Sequence, residues 1–229
     1  MYLSEKKENE ILKIIELENL YYRDKENIIL DGVTIDINKG DCISIIGESG
    51  SGKSTLLKIC ADLIEVKEGN IKFKGKDYSF YEATDLRKKI SYSIQIPYLF
   101  GKTVYDNLEF PFKIRNKEVD SEKIINLLKR FNLDNDILKK NINLLSGGEK
   151  QRISFIRNII FTPEVLLLDE ITSALDSDNT NLIQGYVEEL NKQGVTILWV
   201  THSKKQSETI FNKRVTISKG KIEKMEEFN

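Results

Sequence analysis

Histidine appears once in this 229-residue chain, cysteine twice. That supply is too small to build a transition-metal cluster, and two cysteines offer no disulfide framework, which fits a reducing cytosol. Neither sign of charge is in excess: Lys+Arg number 35 and Asp+Glu 36, for a net charge of −1. Nothing here pulls globally on a polyanion, so we expect no nucleic-acid partner. No apolar run approaches the roughly 18 residues that would cross a bilayer. The first residues, from Met1 to Glu10, are polar and acidic, unlike a signal peptide. Internal repeats, low-complexity linkers and sustained heptads are also missing. What remains, at 40% hydrophobic and 31% charged, is an ordinary globular chain long enough for one large domain or a domain with a subdomain.

The information sits in short motifs. Gly47-Glu48-Ser49-Gly50-Ser51-Gly52-Lys53-Ser54-Thr55 is a complete G-x-x-x-x-G-K-[ST] phosphate loop. An apolar segment, Cys42–Ile46, precedes it and a helix-like stretch, Leu56–Ile64, follows, which is the strand–loop–helix setting the motif needs. The glycines let successive N–H groups turn toward phosphate oxygens, and the helix N-terminus adds partial positive charge. Lys53 is expected on the β/γ-phosphates of ATP and Ser54 on Mg²⁺.

A second segment supplies carboxylates. Val165–Leu168 are four consecutive apolar residues, as in a parallel strand covered on both faces. Asp169 closes the run as a Walker B ligand to Mg²⁺, and Glu170 beside it is placed to act as general base on a water in line with the γ-phosphate. Further back, Ser146-Gly147-Gly148 precedes the helical pattern Ile153–Ile160 and makes a second anion-binding terminus.

Leu145–Arg152 resembles the signature sequence of ABC (ATP-binding cassette) ATPases. The resemblance implies that Ser146, Gly147 and Gly148 of one cassette meet the γ-phosphate held by Lys53 of another, in a head-to-tail homodimer with ATP in its interface. It also implies roles for Gln95 as the Q-loop glutamine sensing γ-phosphate and Mg²⁺, for Ser173–Asp176 as the D-loop, and for His202, at the end of the apolar run Val195–Val200, as the switch histidine. Three positions depart from the family. Ile171, after Glu170, stands where Pro is usual in ABC cassettes. Glu149 stands where Gln is commoner, and Asp24 stands where an aromatic usually stacks adenine; Tyr22, on the same strand face, is the candidate replacement. Leu99–Leu108, Phe110–Asn116 and Val165–Asp176 are similar to the FetA/YbbL type of iron-export ATPase subunits.

The fold these features imply is α/β: a P-loop NTPase (RecA-like) core with an N-terminal antiparallel β region and an α-helical subdomain. Residues 1–14 read as a charged extension and 15–229 as the nucleotide-binding domain, with the helical subdomain about 97–160. A hairpin is expected around Asp24–Asn27, another over Val215–Ile222, and a helix from Ser121 to Phe131 with Ser121 as N-cap. Residues 97–114 hold five rings in a loop-like setting. We expect Leu108 and Ile114 in the core, and Tyr98, Leu99 and Phe100 in a groove that receives a polytopic membrane permease near residues 97–112. The function expected is the ATPase subunit of a membrane transporter, peripheral on the cytoplasmic face of the membrane. The alternatives are a soluble ABC-type ATPase of DNA repair or translation, and a nucleotide-binding scaffold without turnover.

Overall fold

Near the start of the chain, β1 (Lys13–Asp24) and β2 (Asn27–Asn38) form an antiparallel hairpin. Lys25 and Glu26 make the turn, Lys25 in the left-handed region with φ 56°, so the hairpin falls where the polar run 24–27 points. A computed structural model describes residues 12–173, 175–201 and 210–228. β4 (Glu68–Phe73) and β5 (Lys76–Asp77) extend the hairpin into a four-stranded sheet ordered β2-β1-β4-β5.

The second sheet has six described strands. These are β3 (Cys42–Ile46), β6 (Ile90–Ser93), β7 (Val165–Asp169), β8 (Thr196–Val200), β9 (Lys213–Ser218) and β10 (Lys221–Glu227), ordered β10-β9-β3-β8-β7-β6. All pair parallel except β9 with β10. Side chains alternate across the sheet. Ile43, Ile45, Leu167, Leu198 and Val200 face a core shared with α1 (Lys53–Cys60), α2 (Ala83–Lys89) and the four-stranded sheet. Cys42, Leu166, Leu168, Ile197 and Trp199 face a second core. That core is shared with α3 (Val104–Lys113), α4 (Ser121–Arg130), α5 (Gly147–Ile159) and α6 (Ser177–Lys192). With both faces covered, β7 and β8 are buried along their whole length, as their unbroken apolar runs require. Phe131, Phe155 and Tyr186 tie α4, α5 and α6 together edge to face, with ring centroids 5.3–6.4 Å apart.

Three local expectations are corrected. The cap of α4 is Asp120, which accepts from the Lys123 N–H at 2.9 Å; Ser121 is the first helical residue, and the carboxylate makes the stronger, charge-assisted bond. The helix after the phosphate loop stops at Cys60, not Ile64: Asp62 turns left-handed with φ 56° and the Leu63 N–H closes back on the Lys58 carbonyl. Ile114 is 43% exposed just beyond α3, whereas Leu108 is fully buried.

Candidate nucleotide-binding and hydrolysis site

The loop 47–52 is wedged between strands far apart in sequence. Gly47 has φ 148°, and a Cβ there would lie 2.1 Å from the Ile217 carbonyl oxygen; Gly52 has φ 104°, and its Cβ would lie 2.7 Å from the Ile29 oxygen. Any side chain would force the loop off β9 and β2. A bond from the Gly220 N–H to the Ser51 carbonyl, 3.1 Å, ties the loop to the β9–β10 turn.

The end of α1 is prepared for an anion. Of the described helices of eight residues or more, α3, α4, α5 and α6 are capped by the side chains of Thr103, Asp120, Ser146 and Asp176. By contrast α1 has no side-chain cap and no acidic residue in its first turn, so its leading N–H groups keep their dipole uncompensated. The Ser51 hydroxyl is buried there with no hydrogen-bond partner, which costs free energy unless a ligand oxygen meets it. Lys53 is only 5% exposed. Its Nζ donates to the carbonyls of Gly47 at 2.9 Å and Glu48 at 2.7 Å. Burial pushes its ammonium below the usual lysine range, and the Glu170 and Asp169 carboxylates partly oppose that. The result is a desolvated cation on weak acceptors, suited to stronger anionic ones.

Across the sheet, β7 delivers the carboxylates. The Ser54 hydroxyl donates to Asp169 Oδ1 at 2.9 Å, and the Tyr92 hydroxyl to Asp169 Oδ2 at 2.9 Å. Burial, with the Asp169 charge adding to it, raises the Tyr92 phenol far above its usual range, so it acts as a donor. Glu170 takes φ 50°, its N–H bonded to the Val200 carbonyl at 3.1 Å, and its side chain lines the cleft. Gln95, leaving β6, donates from Nε2 to Glu170 Oε2 at 2.7 Å. Ser54 and Asp169 offer a hydroxyl and a carboxylate side by side, hard oxygen donors that suit Mg²⁺. Gln95 is engaged with Glu170 instead of that pair. A cleft of about 340 Å³ opens over this set, lined by Ser49, Gly50, Gly52, Lys53, Ser54 and Thr55 with Ile29, Gln95 and Glu170.

Other expected site residues lie elsewhere. Tyr22 is half-buried and packs on the core beneath the four-stranded sheet, opposite Leu30 across the hairpin; it does not line the cleft, where Ile29 stands instead. Tyr22 and Leu30 are paired across the hairpin and share its inward face, where Tyr22 packs on the core. Ser146, Gly147 and Gly148 are also outside the cleft lining. Ser146 and Glu149 close α5 with a capping box, N–H to Oε2 at 2.7 Å and N–H to Oγ at 3.2 Å, and Lys140 pairs with Glu149 at 3.0 Å. His202 lies outside the described residues; Thr201 just before it bonds through its N–H to the Ile45 carbonyl, beside the phosphate loop. Tyr92 was missed by motif reading. The only hint is an aromatic three residues before Gln95 on a strand.

The stretch after Gln95 is divided. Ile96 and Tyr98 are 78% and 67% exposed. Phe100 is half-buried, edge-on to Phe110 at 5.0 Å and under Arg157 at 5.3 Å, and Asn107 binds its N–H and carbonyl. Phe112 is core.

Residues 30–173 match the ABC transporter family. The chain is 48% identical over 195 residues to the probable iron export ATP-binding protein FetA of Escherichia coli (strain K12), covering 83% of this chain and 85% of that one. It is 38% identical over 204 residues to the lipoprotein-releasing system ATP-binding protein LolD of Buchnera aphidicola, covering 85% and 89%. Among solved structures it is similar to an ATP-binding cassette captured as a dimer after hydrolysis with ADP and Pi. That likeness has TM-score 0.85 and 28% identity, over 94% of this chain and 99% of the other. Among the described residues no helix is long and apolar enough to cross a membrane.

Proposed function

The chain belongs to the ABC transporter family, as an ATP-binding subunit with ATPase activity, and from that premise we propose that it drives iron export through a separate membrane subunit. One observation carries the hydrolytic reading: Lys53, Ser54, Gln95 and Glu170 line one cleft, with Asp169 bonded to Ser54 at 2.9 Å and Gln95 to Glu170 at 2.7 Å. In this reading the phosphates of ATP lie on the α1 N-terminus, and Lys53 exchanges its loop carbonyls for β/γ-phosphate oxygens. Ser54 and Asp169 would hold Mg²⁺, which would supply charge neutralisation on the phosphates. Glu170 accepts a proton from the attacking water as the water oxygen bonds to the γ-phosphorus and the bond to the ADP oxygen breaks. Gln95, hydrogen-bonded to Glu170, orients that carboxylate. His202 is assigned the remaining γ-phosphate contact, and Ser146, Gly147 and Gly148 of a second copy cover the same phosphate. Residues 15–229 form the cassette, with a helical subdomain about 97–160 and an extension over 1–14. In this reading the membrane subunit docks beside the exposed Ile96 and Tyr98, and the cassette works at the cytoplasmic face of the membrane.

Replacing Glu170 by Gln tests the hydrolytic core. The amide still accepts hydrogen bonds but cannot take the proton, so phosphate release falls by roughly 10²–10⁴-fold while ATP stays bound and the cassettes remain paired in size-exclusion chromatography. Turnover at the wild-type rate removes Glu170 from the base role. Iron as cargo is supported by the 48% identity to the iron export protein. With its membrane subunit in sealed vesicles, the cassette should move Fe²⁺ only with ATP, and Lys53→Ala should abolish the movement. ATP turnover stimulated by another cargo, with no Fe²⁺ transported, overturns it.

A further inference from the structure

Asp169 is 4% exposed, and each of its oxygens has one partner of known chemistry. Oδ1 receives the Ser54 hydroxyl; Oδ2 receives the Tyr92 phenol, both at 2.9 Å. Tyr92 sits opposite Leu167 in the β6–β7 register, on the face that Leu167 and Asp169 share two residues apart, so the ring runs along the sheet and ends at the carboxylate. Its main chain is pinned from another element. Asn158, in the last turn of α5, donates to the Tyr92 carbonyl at 3.1 Å and to Ser93 Oγ at 2.8 Å, and its own carbonyl accepts from Ser91 Oγ at 2.9 Å. A phenol held this firmly fixes the plane of the carboxylate it touches, because a carboxylate with one free oxygen turns about its terminal bond.

We propose that Tyr92 is a positioning residue for the metal. By holding Oδ2 it keeps Oδ1 turned to Ser54, and so sets the affinity of the Ser54–Asp169 pair for a divalent cation. Partners of this kind, one step behind a ligand, typically change metal affinity by about 10–100-fold. The proposal rests on the reading of Asp169 as a metal ligand.

Mn²⁺ binding to the whole chain with ADP, followed by electron paramagnetic resonance, tests both in one series. Asp169→Ala should lose the bound Mn²⁺ signal; if it binds as the wild type does, the ligand reading itself fails. Tyr92→Phe keeps the ring and removes one oxygen. It should weaken Mn²⁺ by about 10-fold or more, leave ADP affinity without metal unchanged, and raise the Mg²⁺ concentration for half-maximal ATPase in the same ratio, with the rate recovering at high Mg²⁺. Ser93→Ala breaks a neighbouring bond of the same strand and should leave Mn²⁺ affinity as in the wild type. Unchanged Mn²⁺ affinity in Tyr92→Phe while Asp169→Ala loses the metal overturns the positioning role, as does a loss in Ser93→Ala equal to that in Tyr92→Phe. A lowered melting temperature in Tyr92→Phe without a metal shift overturns it too.

Discussion

Cys42 and Cys60 are free and buried, one in each core. Burial pushes both thiols up to about 12, against roughly 8.5 in an open chain. The folded state therefore keeps both protons where the unfolded chain releases them. Stability is unaffected below the unfolded value and falls as pH climbs from about 8.5 toward about 12, by up to ~1.4 kcal/mol per pH unit for each thiol. Urea unfolding at pH 8 and pH 10 should show a drop that shrinks in a Cys42→Ala, Cys60→Ala variant, even though that variant starts lower from its cavities. Equal drops in the two proteins would rule the thiols out. At this scale the spacing of residues 47–55 and the pair Asp169-Glu170 were legible because each motif is contiguous and its chemistry is local. Tyr92 was not, because its bond to Asp169 depends on which strands become neighbours. The surroundings of Tyr22 were hidden for a related reason: a strand face can be read from alternation, but not which layer that face meets.

Among elements, the segment joining β6 to α3 does two jobs. Gln95 ends on Glu170, and one residue further Ile96 turns outward. Beyond it, Phe110 and Ile114 with Lys88, Arg115 and Arg157 line a groove of about 120 Å³. The ring first expected to face the membrane subunit, Phe100, is tied into the fold by Phe110, Arg157 and Asn107. Tyr98→Asp is therefore the informative change. It should leave the melting temperature of the isolated cassette nearly unaltered, a surface substitution being worth within about 0.5 kcal/mol, and should reduce co-purification with the membrane subunit. Phe100→Asp should instead lower stability by roughly 1–3 kcal/mol. If Tyr98→Asp assembles and transports normally, docking lies elsewhere. Helix positions were legible from periodicity, while their ends were decided by competition between neighbours such as Asp120 and Ser121, which pattern alone does not rank.

For the molecule as a whole, an alternation of strands and helices announced a parallel sheet, but the strand order was hidden, since many crossovers satisfy the same pattern. The order found sets β3 between β8 and β9, and this has a bearing on the life of the chain before it is finished. Ribosomes deliver residues from the N-terminus at about 5–20 per second. When the glycine loop emerges, neither neighbour of its strand exists: Cys42 will pair with Ile197 and Ile43 with Lys213. The stops behind Gly47 and Ser51 come later still, from Ile217 and Gly220. A nascent chain thus carries the full nucleotide motif long before it owns a nucleotide site, with β3 bare on both edges in the meantime. The nucleotide site is therefore completed only when β8 and β9 have joined the sheet on either side of β3.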